Sequence, residues 1–488
     1  MSKPAKVIPI MSASAEVEDS AQFVSMYQKQ PTIYPRAVKG WFANWRWVFV
    51  WLTQLLFYGL PWLQWSGRQA VLFDLDAQRF YIFGLLLYPQ DLIFLAALLV
   101  LSALALFFFT AVAGRLWCGY TCPQTVYTEI FMWAERKIEG DRVARMRLDQ
   151  QPWRWRKIWR KGAKHSAWLS IALFTGFSFV GYFTPIRELA ADVASWNLSG
   201  WNAFWVLFYG AATYGNAGFL REQMCKYMCP YARFQSALID KDSLIITYDA
   251  KRGDPRGSRS RKADSAAHGL GDCIDCTLCV QVCPTGIDIR NGLQNECIGC
   301  AACIDVCNDV MDKMGYAKGL IRYSTENGVV NGWTRLQMFK RALRPRVLIY
   351  GAVLSAASVT FAASVAMRSP FKFDVVKDRG ALARVVEEGA VENVYRIQIM
   401  NRTEAPQTYR VAASGIDGLE VVATPASAGP AAVTSTSVSL RLPFVVAQGL
   451  AGRSVPVMFA VTGVEPTSGT SADRSAIQFE KSTFFIPR

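Results

Sequence analysis

Five apolar runs punctuate the chain: Trp47–Trp65, Leu92–Ala113, Ala167–Phe183, Trp201–Leu220 and Val347–Met367. Each approaches the roughly 20 residues that a helix needs to cross a bilayer, and charge is nearly absent inside them. The pattern predicts five transmembrane α-helices. The first run carries Gln54 and Pro61, and the third is interrupted by Gly176 and Gly181. Spanning helices tolerate such residues, because the bilayer forces the backbone to keep its hydrogen bonds internal. The short run Phe80–Tyr88 reads as an interfacial segment rather than a sixth span. After Met367 the period changes. Tyr395, Ile397 and Ile399 alternate with Arg396, Gln398 and Met400, and turn residues recur at Gly415–Gly418, Thr424-Pro425 and Gly463–Pro466. Alternation with regular turns predicts an antiparallel β-sandwich of immunoglobulin-like size.

These runs divide the chain into five units. A polar N-terminal tail (1–40) leads into four transmembrane helices (41–220). A cysteine-bearing domain (221–346) follows, then a fifth transmembrane helix (347–367) and an outer domain (368–488). The first 40 residues hold no stretch of signal-peptide type, so no cleaved export signal is expected. Lysine and arginine set the orientation. Residues 1–46, 114–166 and 221–346 carry 37 of them, against three in the alternate loops 66–91 and 184–200. By the positive-inside rule the N-terminus faces the cytoplasm and the outer domain the periplasm.

Composition narrows the chemistry. With 52 % hydrophobic and 19 % charged residues among 488, the chain is neither disordered nor a small disulfide-stapled fold. The net charge of +15 is accounted for by topology, so no nucleic-acid partner is expected. There are only two histidines, His165 and His268, which excludes a multi-histidine metal site. His165 follows an interfacial Trp/Arg run (Trp153–Trp159) and His268 lies in a mobile-looking linker, Gly253–Gly271. Neither is expected to be a ligand.

All 12 cysteines fall in four tight groups on the expected cytoplasmic side. Cys273, Cys276, Cys279 and Cys283 read C-x2-C-x2-C-x3-C and precede Pro284. Cys297, Cys300, Cys303 and Cys307 repeat the spacing. This is the spacing of bacterial two-cluster ferredoxins, in which three thiolates wrap one cluster and the fourth serves the other. It predicts Cys273, Cys276, Cys279 and Cys307 on one [4Fe–4S] cluster, and Cys297, Cys300, Cys303 and Cys283 on its partner. Zinc ribbons also use C-x2-C pairs, but two complete runs and Pro284 favour iron and sulfur. Asn308 stands where the second run would usually have proline. The remaining pairs, Cys118-x3-Cys122-Pro123 and Cys225-x3-Cys229-Pro230, form an internal repeat beside the second and fourth runs. A helix continuing through either pair would put both sulfurs on one face. Four thiolates there would suit Cu(I), zinc or an iron–sulfur centre. Met224 and Met228 read as packing residues.

The segments Trp117–Thr125 (WCGYTCPQT), Arg221–Arg233 with Asp242–Gly257, both ferredoxin runs and Met311–Thr325 resemble the CcoG/FixG/RdxA family, accessory proteins of cbb3-type cytochrome c oxidase. The likeness runs from about Ala70 through Gly332, and Asn393–Asn401 is similar to the family's outer β-domain. The resemblance implies a bacterial inner-membrane protein with two [4Fe–4S] clusters that reduces Cu(II) to Cu(I), a cupric reductase. Cys118, Cys122, Cys225 and Cys229 would be its copper-facing catalytic set. It implies oxidase assembly factors or copper carriers as partners and an unidentified cytoplasmic electron donor, and a homodimer is compatible with the sequence. Two other readings compete: a membrane polyferredoxin of quinol-linked respiration, and a non-redox assembly scaffold.

Overall fold

The computed structural model describes residues 32–261, 269–378, 380, 382–464 and 476–487. Most of the tail 1–40, His268 with part of its linker, and the end of the turn at Gly463–Pro466 lie outside these residues.

Each apolar run forms a helix, though not with the expected bounds. α1 spans Trp41–Gly59 and α2 Leu92–Ala113. α3 (Leu116–Tyr120), α4 (Pro123–Glu139) and α5 (Arg142–Gln150) follow in the basic segment. α6 runs Trp155–Val180, α7 Ile186–Ala194 and α8 Gly200–Gly215. A π-helical turn, Asn216–Leu220, extends α8. α9 spans Pro230–Leu238, and a last apolar helix runs Pro345–Ala366. Among the described residues two helical segments, Pro89–Ala113 and Pro345–Ala366, are long and apolar enough by themselves to cross a membrane. The other three fall short for local reasons. α1 carries Arg46 and Gln54, the first third of α6 is basic, and α8 is only 16 residues long before its backbone widens.

The segment Phe80–Tyr88 is β-structure. Strands Val71–Asp74, Arg79–Ile82 and Leu85–Leu87 form a three-stranded antiparallel sheet. Residues 371–485 form two antiparallel sheets. One has the order Glu420–Ala423, Val433–Leu442, Val391–Asn401, Phe371–Lys377, and the other Ala426–Ala428, Gln407–Ser414, Ser454–Val464, Ile477–Phe485. Tyr395, Ile397 and Ile399 point into the core with Phe459, Val461 and Phe484, while Arg396 and Gln398 face out. Met400 departs from the expected alternation. It faces away from that core and is still buried, because Leu72, Tyr81 and Leu86 of the small sheet, with Tyr88 just after it, cover it.

Along the chain between α8 and the last apolar helix lies the cysteine-bearing domain. Strands Ile245–Tyr248 and Ile321–Ser324 pair antiparallel beneath two short helices, Leu278–Gln281 and Ala302–Met314. The domain is tied to the end of α2. Leu244 N donates to Val112 O at 2.9 Å, and Ser243 Oγ and Arg344 Nη2 both donate to Ala111 O at 2.8 Å. Helix C-termini leave carbonyls without intrahelical partners, and here the cysteine domain supplies the donors. At the other side Asp305, midway between Cys303 and Cys307, accepts from Phe42 N (3.2 Å) and Ala43 N (2.7 Å) at the start of α1. A Cβ on Gly40 would meet the Asp305 carboxyl at 2.3 Å, so only glycine allows this approach.

Candidate iron–sulfur and thiol site

The two ferredoxin runs fold as near copies. Each loop needs left-handed backbone two and four residues after its first cysteine: Asp275 and Thr277 in one, Gly299 and Ala301 in the other, with φ between 52° and 71°. Three of these carry side chains that disfavour such φ values. The surroundings therefore over-determine these loops, as happens where a wrap around a ligand must be held. A helix then carries the fourth cysteine away. As a result Cys273, Cys276, Cys279 and Cys307 line one cavity, with Tyr248 and Arg290. Cys283, Cys297, Cys300 and Cys303 line a neighbouring one, where Cys279 also reaches.

Among the described residues no three His, Cys, Asp or Glu side chains gather closely enough for a single bare metal ion. The sulfurs stand around two spaces instead, four to each, which is the donor number of an iron–sulfur cube. Burial pushes the Cys297 and Cys307 thiols up to about 12 and Cys279 to about 11. Thiolates are stable in such a place only beside a cation, and metal binding is what displaces their protons. Arg290, paired with Asp288 (2.7 Å) and Asp275, faces Cys279 and lowers the cost of negative charge there. Asn308 accepts from Gly319 N at 3.0 Å, so the residue in the usual proline position fastens the turn leading to strand Ile321–Ser324.

The two C-x3-C-P pairs do not continue as helices, contrary to the simplest geometric reading. Each closes with a wide turn: Cys122 N donates to Trp117 O at 3.0 Å and Cys229 N to Met224 O at 2.8 Å, both across five residues. The second turn, Met224–Met228, is π-helical, a form found frequently at functional sites. Cys122 and Cys229 then leave the helical track, with ψ of 128° and 111°, and Pro123 and Pro230 open α4 and α9. Proline suits that first position, since its missing N–H has no partner to lose. The two copies converge: the four thiols lie within electrostatic reach of one another. Burial raises Cys118 to about 11 and Cys225 to about 12. Met228 is largely exposed and so is no packing residue.

This thiol group touches the second cysteine cavity. Cys118 and Cys225 pack with Val282, Ile298 and Cys300. A Cβ on Gly119 would lie 2.7 Å from Gly299 O and 2.9 Å from Cys300 N, so the two loops meet backbone to backbone. Three residues escaped the sequence reading. Arg115, buried, donates to Ala232 O (2.7 Å) and to Asn295 O, tying both motifs to the second ferredoxin loop. Gln235, with no exposed surface, lies 3.4 Å by Nε2 from Cys118 Sγ. Arg290 is the third. Two of the three are arginines, and in the sequence both count only toward topology; Gln235 carries no signal at all. His165 meets Tyr214 Oη at 2.9 Å within an aromatic cluster.

Known proteins match these parts in order. A family model described as a 4Fe-4S binding domain matches residues 95–140, and one described as a 4Fe-4S dicluster domain matches 220–326. The protein is thus an iron–sulfur electron-transfer protein carrying a C-terminal immunoglobulin-like domain. That last domain, residues 361–487, matches the model for the immunoglobulin-like fold at the C-terminus of FixG. The chain is 36 % identical over 422 residues to the nitrogen fixation protein FixG of Rhizobium meliloti, covering 80 % of each. It is 38 % identical over 404 residues to protein RdxA of Cereibacter sphaeroides, covering 81 % of this chain and 84 % of that one. Protein RdxB of the same organism is 38 % identical over 398 residues, covering 80 % and 83 %. The chain belongs to the FixG/RdxA family. A crystal structure of a FixG-related protein from Vibrio parahaemolyticus aligns with 24 % of this chain and 97 % of its own, at 20 % identity and a TM-score of 0.20.

Proposed function

We propose that the protein reduces Cu(II) to Cu(I) at the inner membrane, for assembly of the copper centre of a cbb3-type cytochrome c oxidase. In this reading Cys273, Cys276, Cys279 and Cys307 hold one [4Fe–4S] cluster, and Cys283, Cys297, Cys300 and Cys303 hold the other. When bound, the clusters supply single electrons. Cys118, Cys122, Cys225 and Cys229 are the copper-facing thiols, and they bind the copper substrate two at a time, since no three of them gather around one ion. Thiolates are soft donors that stabilise Cu(I) over Cu(II), so binding there favours taking up an electron. Gln235 steers the Cys118 sulfur, and Arg115 offsets the negative charge of thiolates. The observation that carries the proposal is the backbone contact of Gly119 with Gly299 and Cys300. It keeps Cys118, with Cys225 beside it, against the second cysteine cavity.

In the membrane arrangement we infer, α1, α6 and α8 span alongside the two strongly apolar helices. The N-terminus faces the cytoplasm and the sandwich the periplasm. Exposed apolar side chains on α1 (Trp51, Leu55) and on α8 (Trp201, Leu207) support this, because soluble surfaces rarely gather so many. The test is Cu(II) reduction by anaerobically purified protein, followed with a Cu(I) chelator. Thiols alone can reduce Cu(II) by forming disulfide, so protein is pre-reduced, freed of the reductant by gel filtration and compared with a Cys273→Ser, Cys297→Ser variant treated the same way. Wild type should yield more Cu(I) than its thiol equivalents supply and the variant no more than those equivalents; equal yields would overturn the relay. Cys118→Ala with Cys225→Ala should keep the iron–sulfur absorbance and lose the reduction.

A further inference from the structure

Arg46 is a buried cation that the protein balances incompletely. It lies in α1, 8 % exposed, and its Nε is buried with no hydrogen-bond partner. Glu129 of α4 approaches its Nη1 only to 4.0 Å, and Glu129 also pairs with Arg136 at 3.3 Å. Two guanidinium groups thus share one carboxylate. Burying a cation is costly unless an anion stands beside it, and the surroundings show where that anion belongs. Arg46 is within electrostatic reach of Cys300, and it lines a small cavity together with Cys225, Pro284, Thr285 and Ile298. Pro284 and Thr285 follow Cys283, and Ile298 follows Cys297. The guanidinium therefore stands where the thiol group meets the second cysteine cavity. Arg221 and Glu222 complete the charged lining. Arg221 is already paired with Glu135 at 3.1 Å, and Glu222 is partly exposed, so water screens it. The first ferredoxin run is built differently. Its guanidinium beside Cys279, that of Arg290, is held by Asp288 at 2.7 Å and by Asp275.

We propose that Arg46 raises the reduction potential of the cluster held by Cys283, Cys297, Cys300 and Cys303, and so draws the electron to the end of the relay where the thiols lie. The inference rests on the cluster reading of that cavity. A cube held by four thiolates is an anion, and reduction adds one negative charge to it. A neighbouring cation stabilises the reduced form more than the oxidised one, through an attraction that a dry interior leaves nearly unscreened. Net charge around a cluster is among the quantities that set its potential. Arg46 acts on the electron through the cluster and makes no contact with copper. Arg290, neutralised by two carboxylates, gives the first cluster no comparable help.

The test is a redox titration of full-length protein, purified anaerobically with its iron and sulfide in mild detergent. Electron paramagnetic resonance follows each cluster as dithionite lowers the potential, without copper. Cys276→Ser, a change at the exposed ligand of the first cluster, identifies that cluster's signal by altering it. Arg46→Gln keeps a hydrogen-bonding group and loses the charge. It should lower the midpoint of the second cluster alone, by roughly tenfold in the reduction equilibrium, equivalent to about 59 mV for one electron. Arg46→Lys restores the charge and should recover most of that shift. Glu129→Gln strips Arg46 of its shared carboxylate and should move the same midpoint up; this variant decides the matter if Arg46→Gln does not assemble. Iron and sulfide equal to wild type show that a variant is assembled. An unshifted midpoint in Arg46→Gln, or an equal drop in Arg46→Lys, would mean that Arg46 serves packing alone and would overturn the proposal. Equal shifts of both clusters, or a midpoint that does not rise in Glu129→Gln, would also overturn it. Wild-type protein with iron and sulfide for only one cluster sinks the two-cluster reading and this inference with it. Two intact signals without a shift sink this inference alone.

Discussion

Gly119 sits where two separately encoded loops touch by their backbones, and the physics of that contact makes a sharp prediction. A methyl group there would lie 2.7 Å from Gly299 O, with no flexible side chain to yield. Gly119→Ala should therefore cost roughly 1–3 kcal/mol, as overpacking generally does. It should also separate the thiols from the second cavity: iron content measured on purified protein should stay near normal while Cu(II) reduction falls. Glu135 makes a different argument. Burial alone would raise its carboxyl, but Arg221 (3.1 Å), Arg145 (2.8 Å) and Lys164 hold it below its usual value of 4.5. A carboxyl held low contributes stability above its unfolded pKa, and the contribution is lost as pH falls through the lower, folded value. Glu135→Gln should thus lower the melting temperature markedly at pH 7. The gap to wild type should narrow once the pH drops below about 4, a trend that thermal melts across pH would follow.

At the scale of elements, the helix Ala302–Met314 does more than carry Cys303, Cys307 and Asn308. Its Asp305 lies buried and receives the N–H groups of Phe42 and Ala43 in the first turn of α1, so one carboxylate caps a helix that is distant in sequence. Asp305→Ala would leave two donors unpaired, that of Ala43 buried, at a cost of roughly 1–3 kcal/mol. Thermal bleaching of the iron–sulfur absorbance should begin at lower temperature, and hydrogen exchange at Phe42 and Ala43 should rise. Little of this was legible. The spacing of the cysteines implied a wrap and a departing helix, because three donors two residues apart cannot reach one cube otherwise. The capping partner of α1 was invisible, since more than 260 residues separate donor from acceptor. The wide turns at both C-x3-C-P pairs were equally hidden. Their proline marked a helix boundary, but the bond across five residues depends on how the preceding turn is packed.

Across the whole molecule, one buried carboxylate holds the outer domain to the loop before α2. Asp91 meets Arg402 from the sandwich and Arg368 (3.5 Å) from the end of the last helix. Tyr88 Oη donates to Asn401 O at 2.9 Å, and Arg68 pairs with Glu404 at 2.8 Å. Asp91→Ala would leave two buried guanidinium groups without their anion, a loss of roughly 3–5 kcal/mol in comparable pairs. The sandwich should remain folded on its own core, while trypsin gains access at Arg368. Hydrogen exchange should increase across Val71–Leu87.

The sequence by itself determined those features that depend on local period and spacing. Helical runs, the alternating faces of Val394–Met400, the division of the cysteines into eight and four, and the resemblance of the motifs to one family all belong here. Local order is enough for them, since a period of 3.6 or 2 and a donor spacing are written in consecutive residues. Only the tertiary structure decided the rest. It set Gly119 against Gly299, placed Arg115, Gln235 and Arg290 beside thiols, and buried Met400 under a distant sheet. These are contacts between segments tens or hundreds of residues apart, and no periodicity along a chain encodes which surfaces will meet.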